Sequence, residues 1–199
     1  MATAASGKAF ADELEKALAK CPPGQRKFVF VGVLNQHLPR HRRAVLVGGA
    51  AVELYTDGAY RTGDVDLIGD HESILPLLEV ARFHRVDRLF MREDLELAVD
   101  IVGLGQRRGE TNVELDIHGY KVLTVSVEDA IVDRLLAAEY WKSATDWEQA
   151  VLLYEAHKDT LDRMVLEDRA RANDVERTLM DMIARVTAAR PAGSRPSTR

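Results

Sequence analysis

Two aspartates separated by one residue, Asp64 and Asp66, stand in the stretch Arg61-Thr62-Gly63-Asp64-Val65-Asp66-Leu67-Ile68. On a β-strand, residues two apart point to one face, so both carboxylates enter the same small volume. Like charges that close repel unless a cation sits between them. Hard oxygen donors suit Mg²⁺, which takes one or two carboxylates and completes its shell with water and substrate phosphate. Upstream, the short apolar run Ala44–Val47 closes on Gly48-Gly49. A glycine turn before a helix lets backbone amides approach a phosphate, where the helix dipole also favours an anion. A third carboxylate, Asp100, lies in Leu97-Ala98-Val99-Asp100-Ile101-Val102-Gly103, an odd neighbourhood for a solvated edge. From a neighbouring strand it would complete the site, and three carboxylates can hold two metal ions, one activating a hydroxyl and one gripping a triphosphate. Asp116 competes for that place, but Glu114 on the same strand face marks an ordinary exposed surface, so Asp100 is preferred.

Other uses of an Asp-x-Asp pair fail on their surroundings. A calcium loop counted from Asp64 needs oxygen at its fifth position and Glu at its twelfth, where Ile68 and Leu75 stand. A phosphohydrolase with an aspartate nucleophile wants an apolar strand leading into the first Asp, and Tyr60-Arg61-Thr62-Gly63 is not one. The single Cys21 leaves no internal disulfide or Cys-rich zinc site, and no His pair has metal-ligand spacing.

These residues need a scaffold, and the pattern supplies an α+β one. Phe10, Leu14, Ala17 and Leu18 predict an amphipathic helix over 7–20, ended by Pro22-Pro23-Gly24. Residues 28–38 read as a buried helix, 44–47 as a strand leading through the glycine turn to a helix from Ala50 to about Thr56, and 64–68 as the strand of the Asp pair. After a helix over 72–81, strands are expected at 88–91, 95–102, 112–117 and 121–125, the last two joined at His118-Gly119. From Ser126 helices dominate, with start signals at Ser126-Val-Glu-Asp129, Thr145-Asp-Trp-Glu148 and Asn173-Asp-Val-Glu176. Their apolar faces include Ile131, Leu135 and Ala138, then Trp147, Val151 and Tyr154, then Leu161 and Val165, then Val175, Leu179 and Met182. Trp141, Trp147 and Tyr154 are expected in the core. The expected organisation is an N-terminal helical segment over 1–43, a catalytic core over 44–126, a helical region over 127–190 and a mobile Pro/Ser/Arg tail over 191–199.

The 199 residues carry 27 Lys and Arg against 32 Asp and Glu, a formal charge of -5, which excludes a uniformly basic nucleic-acid binder. The charge is segregated: +5 over 1–43, -7 over 44–126, -6 over 127–189 and +3 over the last ten residues. Lys27, Arg40, Arg42 and Arg43 precede the glycine turn and would make a local basic face for an NTP or an RNA end. No apolar run approaches the roughly 20 residues of a membrane helix, and no secretory signal opens the chain, so a cytoplasmic protein with no membrane partner is expected.

A strand closed by two glycines, a helix, Arg-x-Gly-Asp-x-Asp with apolar flanks and a further strand aspartate together resemble the nucleotidyltransferase superfamily of polymerase-β-like fold. Arg61-Thr62-Gly63-Asp64-Val65-Asp66-Leu67 is similar to the Arg-x-Thr-x-Asp-hydrophobic-Asp form, shifted by one at the threonine, of minimal bacterial nucleotidyltransferases that include abortive-infection and toxin–antitoxin types. The segment from Val127 to Ala138, with Trp141 and Glu148-Gln149-Ala150, resembles that group's helices after the sheet, so the likeness spans about 44–155.

The resemblance implies a mixed β-sheet with flanking helices and a C-terminal helical bundle. It implies Gly48 and Gly49 as the phosphate-cradling turn, Asp64 and Asp66 as metal ligands, and Asp100 as third ligand and general base. Arg61 and Thr62 would lie near the nucleotide. The cofactor would be Mg²⁺, two ions, and the reaction transfer of a nucleoside monophosphate from an NTP to a hydroxyl of an RNA end, such as a tRNA 3′ end, or of a protein. A toxin with a cognate antitoxin is the implied cellular role. Two departures stand out. Gly49 replaces a serine that many members use on phosphate, and Asp133-Arg134 stands where toxin members tend to have Lys; Arg134 either grips a triphosphate or pairs on a solvated helix face. They keep open a second function, a catalytically weak module that binds a nucleotide or a partner.

Overall fold

The computed structural model describes residues 4–105 and 109–188 and divides the chain into two compact units, 1–130 and 131–199. The expected tail over 191–199 lies outside the described residues.

In the first unit, helix α1 (Ala4–Leu18) buries Phe10, Leu14, Ala17 and Leu18, and the Pro22-Pro23 pair follows its end. Helix α2 (Arg26–His37) is buried on every side from Phe28 to Asn35, as an apolar-all-round segment must be. It stops where Leu38, before Pro39, is forced extended at φ -99 and ψ 145. Asn35 then holds the next element: its Nδ2 donates to Ala44 O (2.9 Å) and its Oδ1 accepts from Ala44 N (2.7 Å).

That next element is β1 (Val45–Val47), which runs straight into α3 (Gly48–Tyr55). The glycines expected to form a turn before the helix are its first two residues, and the whole change of direction falls on Gly48, at φ +64. Then come β2 (Val65–Ile68), α4 (His71–Val80), β3 (His84–Val86), β4 (Leu89–Arg92), β5 (Leu97–Gly103), β6 (Asn112–Ile117) and β7 (Tyr120–Val125). The sheet order is β3-β4-β5-β2-β1-β7-β6, with β2–β5 and β1–β7 parallel and the remaining neighbours antiparallel. Strand β3 has no counterpart in the sequence reading; all three of its residues are exposed, so it carries no apolar alternation.

One face of this mixed sheet is dry. Leu46, Val65, Leu67, Val99, Ile101 and Val122 join Phe10, Phe30, Leu34, Ile74 and Leu78 in a single core. Because strand side chains alternate, Asp66 and Asp100, one residue out of phase with those core positions, take the opposite face. Helix α2 lies so close on β7 that a Cβ at Gly32 would stand 2.6 Å from Tyr120 Cβ. Buried Arg92 ties three elements, donating to Ala81 O (2.6 Å), Glu15 (2.8 Å) and Asp94 (3.1 Å).

The division between the units falls inside α5 (Val127–Tyr140). The second unit continues with α6 (Ala144–His157), α7 (Arg163–Ala172) and α8 (Glu176–Ala188). Its core is Ile131, Leu135, Ala150, Leu153, Leu166, Ala170, Val175, Leu179 and Met182. Three local expectations change. Helix α6 is capped by Ser143, whose hydroxyl accepts from Asp146 N, two residues ahead of the expected start at Thr145. Helix α7 is capped by Asp162 and buries Leu166 and Ala170 while Val165 is exposed; Asn173 closes its end rather than opening α8. Trp141, expected in the core, is 81% exposed, because Lys142 just after the end of α5 turns to φ 54 and Ser143 starts a new helix. Trp147 is half-buried beneath the Arg185 guanidinium, 5.0 Å from its ring centre.

Among the described residues, no helix is long and apolar enough to cross a membrane.

Candidate active site

Strands β2 and β5 run parallel with Asp66 and Asp100 as direct partners. Neighbouring strands lie about 4.8 Å apart, so two carboxylates at one register level on one face are held side by side. Asp64 precedes β2 by one residue and is half-buried. Its Oδ1 accepts the Thr62 hydroxyl proton at 2.6 Å.

The two glycines meet this motif directly. A Cβ on Gly48 would run into Asp66 Oδ2 and stand 2.7 Å from its Cγ and 2.9 Å from its Cβ. Only glycine combines that approach with φ +64. A Cβ on Gly49 would stand 3.2 Å from Thr62 Cβ and 3.3 Å from its hydroxyl. Thr62 therefore sits against Gly49, the position at which the resemblance implies a serine. Arg61 is exposed beside it.

Three further residues bear on the site: Lys27, expected only on the basic face, and Glu53 and Arg88, which the sequence reading does not name. Glu53, one turn beyond Gly49 on α3, accepts Thr62 N at 2.9 Å and Lys27 Nζ at 2.7 Å, and Lys27 also donates to Thr62 O at 2.6 Å. The signal for Glu53 was an acid in the otherwise apolar helix Ala50-Ala51-Val52-Glu53-Leu54. The third is Arg88, in the turn between β3 and β4, whose Nε pairs with Asp100 Oδ2 at 2.9 Å. Arg88 is 77% exposed at its side chain and Asp100 9%, so the cation reaches in from solvent over a nearly buried carboxylate. No sequence signal marks it.

The basic face expected before the glycine turn is largely neutralised. Lys27 is bound as above, Arg42 pairs with Asp70 (2.9 Å) and Arg43 with Glu114 (2.8 Å). The Ser73 hydroxyl, together with Arg42, holds the Asp70 carboxyl below its ordinary range. Asp116, the competitor to Asp100, sits on edge strand β6, where hydrogen bonds from Lys121 and the Gly119 amide lower its carboxyl pKa. In the second unit, Arg134 binds Asp133, Asp146 (2.7 Å) and Gln149 (3.3 Å). At the far end of α3, Tyr55 donates to Val125 O at 2.6 Å, and burial, with Glu128 and Asp129 nearby, pushes its phenol pKa up.

A Mg²⁺ ion fits this donor set in one specific way. Among the described residues no three His, Cys, Asp or Glu side chains form a ready-made cage. Mg²⁺ does not require one, since one or two carboxylates with substrate phosphates and water suffice. Asp66 and Asp100 provide the adjacent pair, and the missing side chain at Gly48 lets the Asp66 carboxylate lie against the backbone where α3 begins.

No curated protein matches the chain. Among solved structures, an antigenic nucleotidyltransferase-like protein from Paracoccidioides brasiliensis is similar over 81% of this chain and 92% of that one, with a TM-score of 0.54 and 20% identity. That likeness shows the nucleotidyltransferase-type α+β fold. The sequence model of a family described as "Nucleotidyltransferase of unknown function (DUF6036)" matches residues 28–185, spanning both the sheet and the helices after it. The chain belongs to that nucleotidyltransferase family.

Proposed function

We propose that the chain transfers a nucleoside monophosphate from an NTP to a hydroxyl acceptor with the help of Mg²⁺. The observation that carries this is the pairing of Asp66 with Asp100 on adjacent parallel strands, with the Asp66 carboxylate packed against Gly48 at the start of α3. Asp66 and Asp100, with Asp64 one residue before β2, would hold the metal. Bound Mg²⁺ would supply charge neutralisation on the triphosphate and acidify the attacking hydroxyl. The backbone amides at the start of α3, at Gly48 and Gly49, would offer a phosphate the favourable end of the helix dipole. Asp100 takes the acceptor proton as the acceptor oxygen bonds to the α-phosphorus and the α–β bridging bond breaks, releasing pyrophosphate. For Asp100 to serve, Arg88 must leave it; Arg88 is exposed and can withdraw to solvent, and the metal would then take its place as the cation on the nearly buried carboxylate.

The acceptor we place first is an RNA 3′ end, with a protein hydroxyl second, and the cellular role is that of a toxin held by a cognate antitoxin. What supports these is the likeness over 44–155 to minimal bacterial nucleotidyltransferases. The alternative, a weak module that binds nucleotide or partner, draws on the Arg88–Asp100 pair and on Gly49 in place of serine.

The test is incubation with Mg²⁺, cell extract and NTP labelled at either the α or the γ phosphate. Label from the α position alone should enter RNA or protein, and Asp66→Asn should abolish it. Binding of Mg²⁺ and NTP with no α-label transfer would favour the alternative.

A further inference from the structure

Between the end of α3 and β2, residues 56–64 form an irregular stretch, yet this stretch must deliver Asp64 and Asp66 in register. No β-ladder bond is available to Thr62 at its centre. Instead both of its backbone polar groups go to side chains: its N–H donates to Glu53 Oε2 (2.9 Å) and its C=O accepts from Lys27 Nζ (2.6 Å). Lys27 and Glu53 are themselves joined at 2.7 Å, with side-chain exposures of 14% and 6%. A nearly buried ion pair is a poor device for stability alone, because apolar residues of similar volume usually serve as well or better. Its retention is explained if the two charges must reach a third group, and here that group is Thr62. From there one bond leads to the chemistry, Thr62 Oγ1 to Asp64 Oδ1 at 2.6 Å.

We propose that Lys27 and Glu53 are positioning residues that set the orientation of Asp64 through Thr62. The pair grips Thr62 on both sides of its Cα, so the backbone from which its hydroxyl reaches Asp64 is held in place. That hydroxyl occupies Oδ1 of Asp64, so Oδ2 would be the oxygen left for a metal. This rests on the nucleotidyltransferase reading above, because it takes Asp64 to be a metal ligand. Residues that orient a metal's ligands typically affect affinity or activity about 10–100-fold.

The test uses the full chain, with Mn²⁺ binding followed by electron paramagnetic resonance, amide hydrogen exchange over residues 60–65, and kcat and KM for NTP. The variants are the double Lys27→Met/Glu53→Leu, which orphans no buried charge, Lys27→Arg, which keeps both donors, and Thr62→Val, which cuts only the last bond. The double variant should bind Mn²⁺ about 10–100-fold more weakly, exchange faster over 60–65, and lose kcat with little change in KM. Lys27→Arg should restore most of the affinity, and Thr62→Val should weaken Mn²⁺ with exchange nearly unchanged. A double variant or a Thr62→Val variant that binds Mn²⁺ like the parent overturns the proposal, as does a Lys27→Arg variant as damaged as the double. Should the double variant fail to fold, Thr62→Val decides alone. A parent chain with no Mn²⁺ affinity removes the nucleotidyltransferase reading and this proposal together, whereas a binding parent with an equally binding variant removes only this one.

Discussion

Replacing Gly48 by Ala should damage stability and metal binding together, through a single contact. The new Cβ would run into Asp66 Oδ2, with Cγ at 2.7 Å and Cβ at 2.9 Å, closer than such atoms pack. Rotating the Asp66 side chain moves Oδ2 and Cγ but not its Cβ, so Val47 and Asp66, partners across β1 and β2, must also separate. The left-handed conformation at φ +64 costs an L-residue about 1–2 kcal/mol, and overpacking of this kind about 1–3 kcal/mol. At about 2–4 °C per kcal/mol for a chain of this length, the melting midpoint should fall by about 4–20 °C. The assay is a thermal melt of four proteins: parent, Gly48→Ala, Asp66→Ala and the double variant. Removing the Asp66 carboxylate relieves the two contacts that involve it, so the cycle should show coupling of about 1 kcal/mol or more in favour of the double variant. Additivity within about 0.5 kcal/mol, or a Gly48→Ala protein that binds Mn²⁺ as the parent does, would refute the claim that Gly48 exists to make room for Asp66.

Two further outcomes follow from named contacts. Arg88→Ala frees Asp100 of its competing cation, so Mn²⁺ titration should show tighter binding, and weakening would mean that Arg88 helps hold the ion. The Tyr55 phenol has a raised pKa in the folded chain, so the stability it contributes is complete below its ordinary value of 10.0 and lost as pH climbs toward the folded value. Tyr55→Phe should accordingly flatten the alkaline fall of the melting midpoint above about pH 10, and an unchanged fall would place the alkaline sensitivity elsewhere.

What the sequence makes legible here is mostly short-range. Parity along a strand puts Asp66 on one face of β2, whereas Asp64, expected on the same strand, lies one residue ahead of it; an acid among Val and Ile neighbours draws attention to Asp100, which the structure pairs with Asp66. Helices α1 and α8 follow from apolar spacing, and α2 from an apolar run. What escapes reading depends on partners distant in sequence. The role of Gly48 comes from Asp66, and Lys27 is joined to Glu53 and Thr62 across 26 and 35 positions. Arg88 meets Asp100 only because β4 pairs with β5. Strand β3 is polar and exposed, so it is defined by its hydrogen bonds to β4 rather than by any pattern of its own. Trp141 shows the limit of periodicity: its spacing from Trp147 and Tyr154 is helical, but a break between α5 and α6 separates them.

The most direct test of the central claim is an anomalous difference map from crystals of the chain soaked with Mn²⁺ and a non-hydrolysable NTP. The account predicts Mn²⁺ bonded to the carboxylates of Asp64, Asp66 and Asp100 and to the triphosphate, with Arg88 withdrawn from Asp100 and phosphate against the amides of Gly48 and Gly49. Nucleotide bound with no Mn²⁺ at these aspartates, and the Arg88–Asp100 pair intact, would contradict it.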